Sequence, residues 1–511
     1  MKPSNELFDL IKAMTKSEKR FFKLSSSLQS GEKNYLKIFD AVDKLEEYDE
    51  AELKHQFRNE RFVLHFPSEK NHLYKLILKS LRAFHADNSI SAILKQEIKN
   101  IEILYNKALY TECTKFLHRA KELAREYEKF YYWFELLNWE KTLMEEAFED
   151  GRFVQKPDDL IVEEHEVIKK LNNLAEYHVL YSKINYVFHS GGYSRDNESR
   201  ALVDEIANHR LITGKNTALS NRAASICYYT QGFCHLANHN FNTAYEKFLK
   251  AKEILDRVPG IRADLAKRYI RTMAHIAFCL IEREQFDQAT EVIESIRSFS
   301  DQKGFTSPDV NMAIFKNALM CEIQIFLRTG RFAEGVMRIE EAFPEFSSRE
   351  EKLNKEQRVT FYYHIAYMYF GKEDYHKSLF WINKVLNENE NDLRPDLFAF
   401  ARLFNLIVHF ELGNYDLLEY ITKSTKRYLA KRHRAYPLEN HVIEKLRQLI
   451  RAEADTDKRN KYRAFHDSLT KVVRPEDEIA LKHFDFVSWA DAKVKGISFA
   501  AAVAYKSKFN G

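Results

Sequence analysis

Glycine and proline are the scarce residues of this chain, with 14 Gly and 9 Pro among 511 positions. Average usage is about 7% and 5%. Sharp turns, bulges and β-hairpins draw on those residues, so few are expected, and an all-helical chain is the economical reading. Cysteine is low as well: Cys113, Cys227, Cys234, Cys279 and Cys321 are odd in number and form no C-x-x-C. That excludes a disulfide framework and fits a reducing, cytoplasmic compartment. No uncharged apolar run reaches the ~20 residues of a membrane helix, and the first residues, MKPSNELFDLIKAMTKSEKR, hold no secretory apolar region. No membrane partner is therefore expected. The common nucleotide and hydrolase motifs are missing too, since TGKNT at Thr213 lacks the upstream glycine of a phosphate loop. Neither an enzyme nor a cofactor is expected.

Apolar side chains, by contrast, are ample. Hydrophobic residues make up 45% and aromatics 14%, including 27 Tyr and 38 Phe, which argues against a disordered chain. The net charge of +4 is unevenly spread. Lys423 to Arg474 holds 15 Lys and Arg against 6 Asp and Glu, so the remainder is mildly acidic.

The most ordered pattern runs from Ser225 to Ala251, SICYYTQGFCHLANHNFNTAYEKFLKA. Gly232 is followed nine positions later by Phe241, then by Ala244, Phe248 and Ala251, with a polar break at Asn238 to Asn240. This order predicts two amphipathic helices and a short turn, the small residues letting one helix lie close against the other. Downstream, Ala277, Ile323, Ala366 and Leu406 precede Phe286, Phe332, Tyr375 and Tyr415 by the same nine positions, with unit spacings of 45, 46, 43 and 40 residues. A weaker copy places Ile101 before Tyr110, Cys113, Leu117 and Ala120. These units resemble the tetratricopeptide repeat, with small residues at repeat positions 8, 20 and 27 and aromatic residues at 17 and 24. They depart from it in length and at Gly335, Ser378 and Leu418, which replace the alanine of position 20. The resemblance covers Ile90 to Ala124 and Ser220 to Arg427, with no register assigned between Tyr127 and Gly214. It implies an all-α, right-handed α-α superhelix of the tetratricopeptide-like solenoid type. Such units cannot bury their apolar faces alone and need stacked copies.

The expected organisation is a helical bundle over residues 1–88, hairpin repeats over 89–435 and a C-terminal helical cap over 436–511. Gly151 to Asp159 and Gly191 to Ser199 read as breaks between helices. By the resemblance, the first helix of each hairpin lines a concave groove. Repeat positions 2, 5, 9, 12 and 13 carry over to Tyr229, Arg271, Asn317, Gln324, Arg328, Tyr363 and Tyr367, with Phe233 and Phe278 alongside. Tyrosine and arginine dominate binding hot spots, although a tyrosine on a long helix is as often core. The implied function is a non-enzymatic scaffold for a protein or peptide partner.

Two basic faces stand beside the groove. Lys426, Arg427, Lys431 and Arg432 lie in a stretch free of acids from Lys423 to Arg434, where Tyr420, Ile421, Tyr428 and Leu429 offer an apolar docking side. This is either a solvated terminus or an accessory surface for an acidic segment or nucleic acid. On the helix after Pro67, Lys75, Lys79 and Arg82 lie opposite Leu73, Ile77 and Leu81. With Tyr35 to Leu45 and Glu50 to Phe57 they give the alternative function, a DNA-binding regulator with an N-terminal helix-turn-helix. Cys234, His235 and His239 are the nearest approach to a metal set. They offer no fourth ligand, so no metal is expected.

Overall fold

The computed structural model describes residues 5–27, 34–149, 156–191, 197–350, 353–388, 394–432, 434, 436–451, 455–472 and 478–509. Among them every regular element is a helix. The breaks expected after Gly151 and Gly191 and the stretch 473–477 fall largely outside the described residues. Contacts divide the chain into two compact units, Met1–Ile168 and Lys169–Gly511.

The first unit opens with helices Glu6–Ala13, Lys16–Ser27, Asn34–Lys44, Glu50–Gln56 and Phe66–Phe84. Ile11, Phe22, Ile38, Phe39, Leu53, Leu73 and Ile77 close around one another as their core. Local sequence sets the helix starts. Thr15 and Glu18 exchange backbone and side-chain hydrogen bonds, and Asp49 accepts from the amides of Ala51 and Glu52. A long pair, Ile90–Tyr105 and Tyr110–Glu126, follows and buries Ile101, Cys113, Leu117 and Ala120.

The second unit is built on five helical hairpins: α1 (Asn221–Ala237) with α2 (Phe241–Asp256), α3 (Ala266–Glu282) with α4 (Phe286–Ser298), α5 (Pro308–Thr329) with α6 (Phe332–Arg349), α7 (Lys355–Gly371) with α8 (Tyr375–Asn387), and α9 (Pro395–Glu411) with α10 (Tyr415–Lys431). Each begins its second helix at the aromatic residue that the nine-residue spacing selects. The first helices also touch in series, α3 with α5, α5 with α7 and α7 with α9, forming one layer of the stack. Small residues sit where helices approach. In the first hairpin Ala244 and Ala251 are buried, and Gly232 lies under the ring of Phe248.

The turns explain how a glycine-poor chain makes these hairpins. In each, the residue two before the aromatic is left-handed: His239, Glu284, Gly330, Glu373 and Gly413 have φ of 57°, 60°, 70°, 64° and 72°. The amide of the next residue then reaches back five positions, as from Asn240 to His235 and from Asp374 to Tyr369. This is the bond pattern of a Schellman ending, which satisfies carbonyls that the helix leaves open. Ala108 and Glu128 repeat it in the first unit. Glycine takes the position in two of the five hairpins. Elsewhere ordinary residues accept a conformation costing about 1–2 kcal/mol.

Two helices of the C-terminal section, Phe486–Lys495 and Phe499–Phe509, belong to the same apolar core as the last three hairpins. Phe484 meets Tyr367, Phe370 and Phe404 at ring distances of 5.2, 5.2 and 5.1 Å. Trp489 Nε1 donates to Glu411 at 2.6 Å. This section is structural. Helix α5 has the length and hydropathy of a membrane span, yet it contains Lys316, Glu322 and Arg328, and 56% of its most apolar window is buried within the fold. It reads as a core helix. All five cysteines are buried free thiols.

Candidate functional site

The polar residues of α3 recur at Arg268, Arg271, His275 and Glu282, three, four and seven positions apart, and therefore share one face of the helix. Facing them across the layer, α5 presents Lys316, Asn317, Met320 and Gln324, and α7 presents Glu356, Thr360 and His364. Tyr229 and Phe233 of α1 and Tyr181 of the helix Pro157–Gly191 close one end, and Arg394, Lys482 and His483 close the other. Together they enclose a concave cavity of about 530 Å³.

The aromatic end is tightly packed. Tyr229 is buried, with its ring 5.0 Å from Phe233, 5.5 Å from Phe248 and 5.6 Å from Tyr181. His275 stacks on Phe248 at 5.1 Å and 22°. Burial, reinforced by the positive charges of Arg271 and Lys316, lowers the His275 pKa to about 3 and holds the ring neutral. His364 is neutral for a similar reason: burial, against one bond that favours the cation, brings it to about 4. Its Nδ1 donates to the Thr360 carbonyl at 2.7 Å, so Nε2 accepts from the Gln324 amide, also at 2.7 Å.

The acids of the cavity are committed. Glu282 takes Arg328 at 2.8 Å and also Lys482, two hundred positions further along the chain. Burial alone would raise the Glu282 carboxyl, but those two cations overcome it and hold it below the usual carboxylate range. Arg394 grips Asp396 with bonds of 2.8–3.2 Å and stands 3.8 Å from Glu356. Lys316 is different: burial and the like charge of Arg271 lower its ammonium to about 8, with Glu356 opposing the shift. Among the described residues no hydrogen bond or ion pair engages Arg271 or Lys316.

Of the seven groove residues expected from sequence, the structure brings Tyr229, Arg271, Asn317 and Gln324 into one cavity. The Asn317 amide is turned to its own helix, bonding the Ala313 carbonyl at 2.7 Å. Arg328 braces the wall through Glu282 without lining the cavity. Tyr363 and Tyr367 are not presented to it. They are 1% and 5% exposed, because the C-terminal section covers them: Tyr363 Oη donates to the His483 carbonyl at 3.0 Å, and Tyr367 Oη accepts from the Asp485 amide at 3.1 Å. Sequence reasoning passed over His275, Glu282, Lys316 and His364. The first two were signalled by polar spacing along α3. Lys482 had no local signal, being joined to the site only through the fold.

Outside the cavity, Lys426, Arg427 and Lys431 are exposed on α10 without an ion pair among the described residues, whereas Arg432 is half-buried. The packed side of α10 is Leu418, Thr422, Thr425 and Leu429, while Tyr420, expected on that side, is 75% exposed. In the first unit Lys75, Lys79 and Arg82 are exposed. No described group of His, Cys, Asp and Glu could hold a metal ion, and Cys234 is a buried thiol whose pKa burial raises to about 12.

Five hairpins with one turn geometry and one small-to-aromatic spacing decide the class. The chain is a divergent helical-repeat protein. No family model and no curated protein matches it. Solved structures do. One, NprR in complex with its cognate peptide NprX, is 12% identical with a TM-score of 0.40, over 72% of this chain and 93% of that one. Another, Rap protein complexed with Competence and Sporulation Factor, is 12% identical with a TM-score of 0.41, over 75% of this chain and 99% of that one.

Proposed function

We propose that the second unit is a non-enzymatic binding module that takes an extended segment of a peptide or protein partner into the cavity along α3, α5 and α7. The observation that carries this reading is the cavity itself. Its volume of about 530 Å³ lies within the range of about 300–1,000 Å³ usual for ligand sites, and it has an aromatic end and a small set of convergent polar groups. No Ser or Cys among the described residues lines it. Among the described residues Arg271 and Lys316 have no hydrogen-bond or ion-pair partner, and both line the cavity where a ligand can reach them, as expected of groups meant for intermolecular contact.

A displayed library of random peptides panned on wild type and on an Arg271→Ala, Asn317→Ala, Gln324→Ala variant tests the proposal. Arg328 is left in place because its loss would leave Glu282 short of a partner. Wild type should enrich a consensus that the triple variant does not retain. Equal enrichment on both would refute the cavity as the site.

The exposed cations favour two lesser readings. Lys426, Arg427 and Lys431, with Arg432 at their edge, suit an accessory surface for an acidic segment. Lys75, Lys79 and Arg82 suit phosphate contacts of a DNA-binding first unit. The latter predicts retention in a gel shift that weakens steeply with salt, by about 0.9 per contact on a log-log plot. Retention no greater than that of a neutral protein at low salt would remove it.

A further inference from the structure

Four cations line the cavity, and two of them are already satisfied within it. Arg394 is held by Asp396 and faces Glu356, and Lys482 is held by Glu282. Arg271 and Lys316 remain, on the neighbouring helices α3 and α5, and no acid among the described residues pairs with either. Behind them, one turn earlier on α3, Arg268 has a buried Nη1 with no hydrogen-bond partner among the described residues. Two positive groups thus line one wall beside the neutral ring of His275, with a third behind them. A single carboxylate would leave two of them uncompensated in a half-buried site. A guanidinium fork beside an ammonium point charge is instead the donor set that suits a tetrahedral dianion.

Resting on the cavity as the binding site, we propose that its ligand carries a phosphoryl group, or another dianionic oxyacid group, held between Arg271 and Lys316. The low basicity of Lys316, at about 8, fits this placement, because a bound dianion supplies the countercharge that the free cavity withholds. The groups around Lys316 that bear on its charge are Arg271 and His275 on α3, Glu356 and His364 on α7, and Lys482. His275 and His364 are neutral above pH 5, so neither contributes to the titration around Lys316 above pH 7.

Isothermal titration of the full chain with sulfate, a dianion throughout this range, and with acetate at matched ionic strength, tests the proposal. Sulfate should bind at least about tenfold more tightly than acetate. Its affinity should fall about tenfold per pH unit above pH 8 as Lys316 loses its proton. Arg271→Gln and Lys316→Gln should each remove the preference, and Lys316→Arg should keep sulfate binding at pH 9.5, where wild type has lost it. Equal binding of sulfate and acetate, or a Lys316→Gln variant that still prefers sulfate, would overturn the proposal. Inorganic phosphate, a phosphoserine-containing peptide pool and a nucleoside monophosphate form three further arms. The arm that binds most tightly, and loses its advantage in Arg271→Gln, identifies the carrier. Peptides that enrich on wild type but bind no better with phosphate would sink this inference and leave the cavity reading intact. Sulfate binding without peptide enrichment would do the reverse.

Discussion

Replacing Gly232 by alanine puts the hairpin register to its sharpest test. Gly232 lies in the interior of α1, where alanine should by itself stabilise the helix by about 0.5–1 kcal/mol. The fold reverses that expectation. A Cβ at Gly232 would lie 2.6 Å from Phe248 Cε1, 2.7 Å from Cζ and 2.9 Å from Cδ1. The ring cannot easily retreat: Phe248 is 0% exposed and is held by Tyr229, Phe233 and His275 at ring distances of 5.5, 5.7 and 5.1 Å. Overpacking of this kind costs about 1–3 kcal/mol, so the balance is a loss centred on about 1 kcal/mol. At about 2–4 °C per kcal/mol for large domains, thermal unfolding followed by near-ultraviolet circular dichroism should show a drop of a few degrees. A variant as stable as wild type, or more stable, would show that α1 and α2 do not meet at this point.

Further outcomes follow from the same packing. Ala244→Leu inserts a larger side chain at a fully buried position of α2 and should destabilise by about 1–3 kcal/mol in urea unfolding, whereas equal midpoints would contradict the close approach. His275 and His364 have folded pKa values near 3 and 4, below the usual 6.5. The unfolded chain therefore gains protons first as pH falls. Stability should decline from about pH 6.5 towards pH 4 by up to about 1.4 kcal/mol per unit for each histidine, and His275→Phe should remove one share of that slope. An unchanged acid slope would mean that His275 is charged in the fold. Replacing Lys426, Arg427, Lys431 and Arg432 by Gln should leave the melting temperature near wild type while weakening capture of acidic segments at low salt. Unfolding, or unchanged capture, would make that face ordinary surface.

The hairpins were legible because the physics that places them is local. A small residue and an aromatic nine positions apart report where two helices touch and where the second begins, and Gly232, Ala277 and Ala366 are buried accordingly. The turns were less legible. Scarce glycine predicts few sharp reversals, yet His239, Glu284 and Glu373 adopt left-handed backbone without it, because the surrounding helices fix the geometry. Longer-range features could not be read at all. Tyr363 and Tyr367 have the right spacing for a groove, but Phe484 and its neighbours, more than a hundred positions away, cover them. Of the cavity, Arg271 and Gln324 were recognisable from repeat position. The isolation of Lys316 depends on which acids are already engaged, and only the folded arrangement determines that.

The most direct test of the binding cavity is the affinity of one peptide, selected on the full chain and followed by fluorescence anisotropy, for three forms of that chain. An Arg271→Ala, Gln324→Ala variant should bind it at least about tenfold more weakly than wild type, equivalent to about 1.4 kcal/mol. A Lys75→Gln, Lys79→Gln, Arg82→Gln variant should bind it as wild type does. The opposite order, with the cavity variant unaffected and the first-unit variant impaired, would contradict the account.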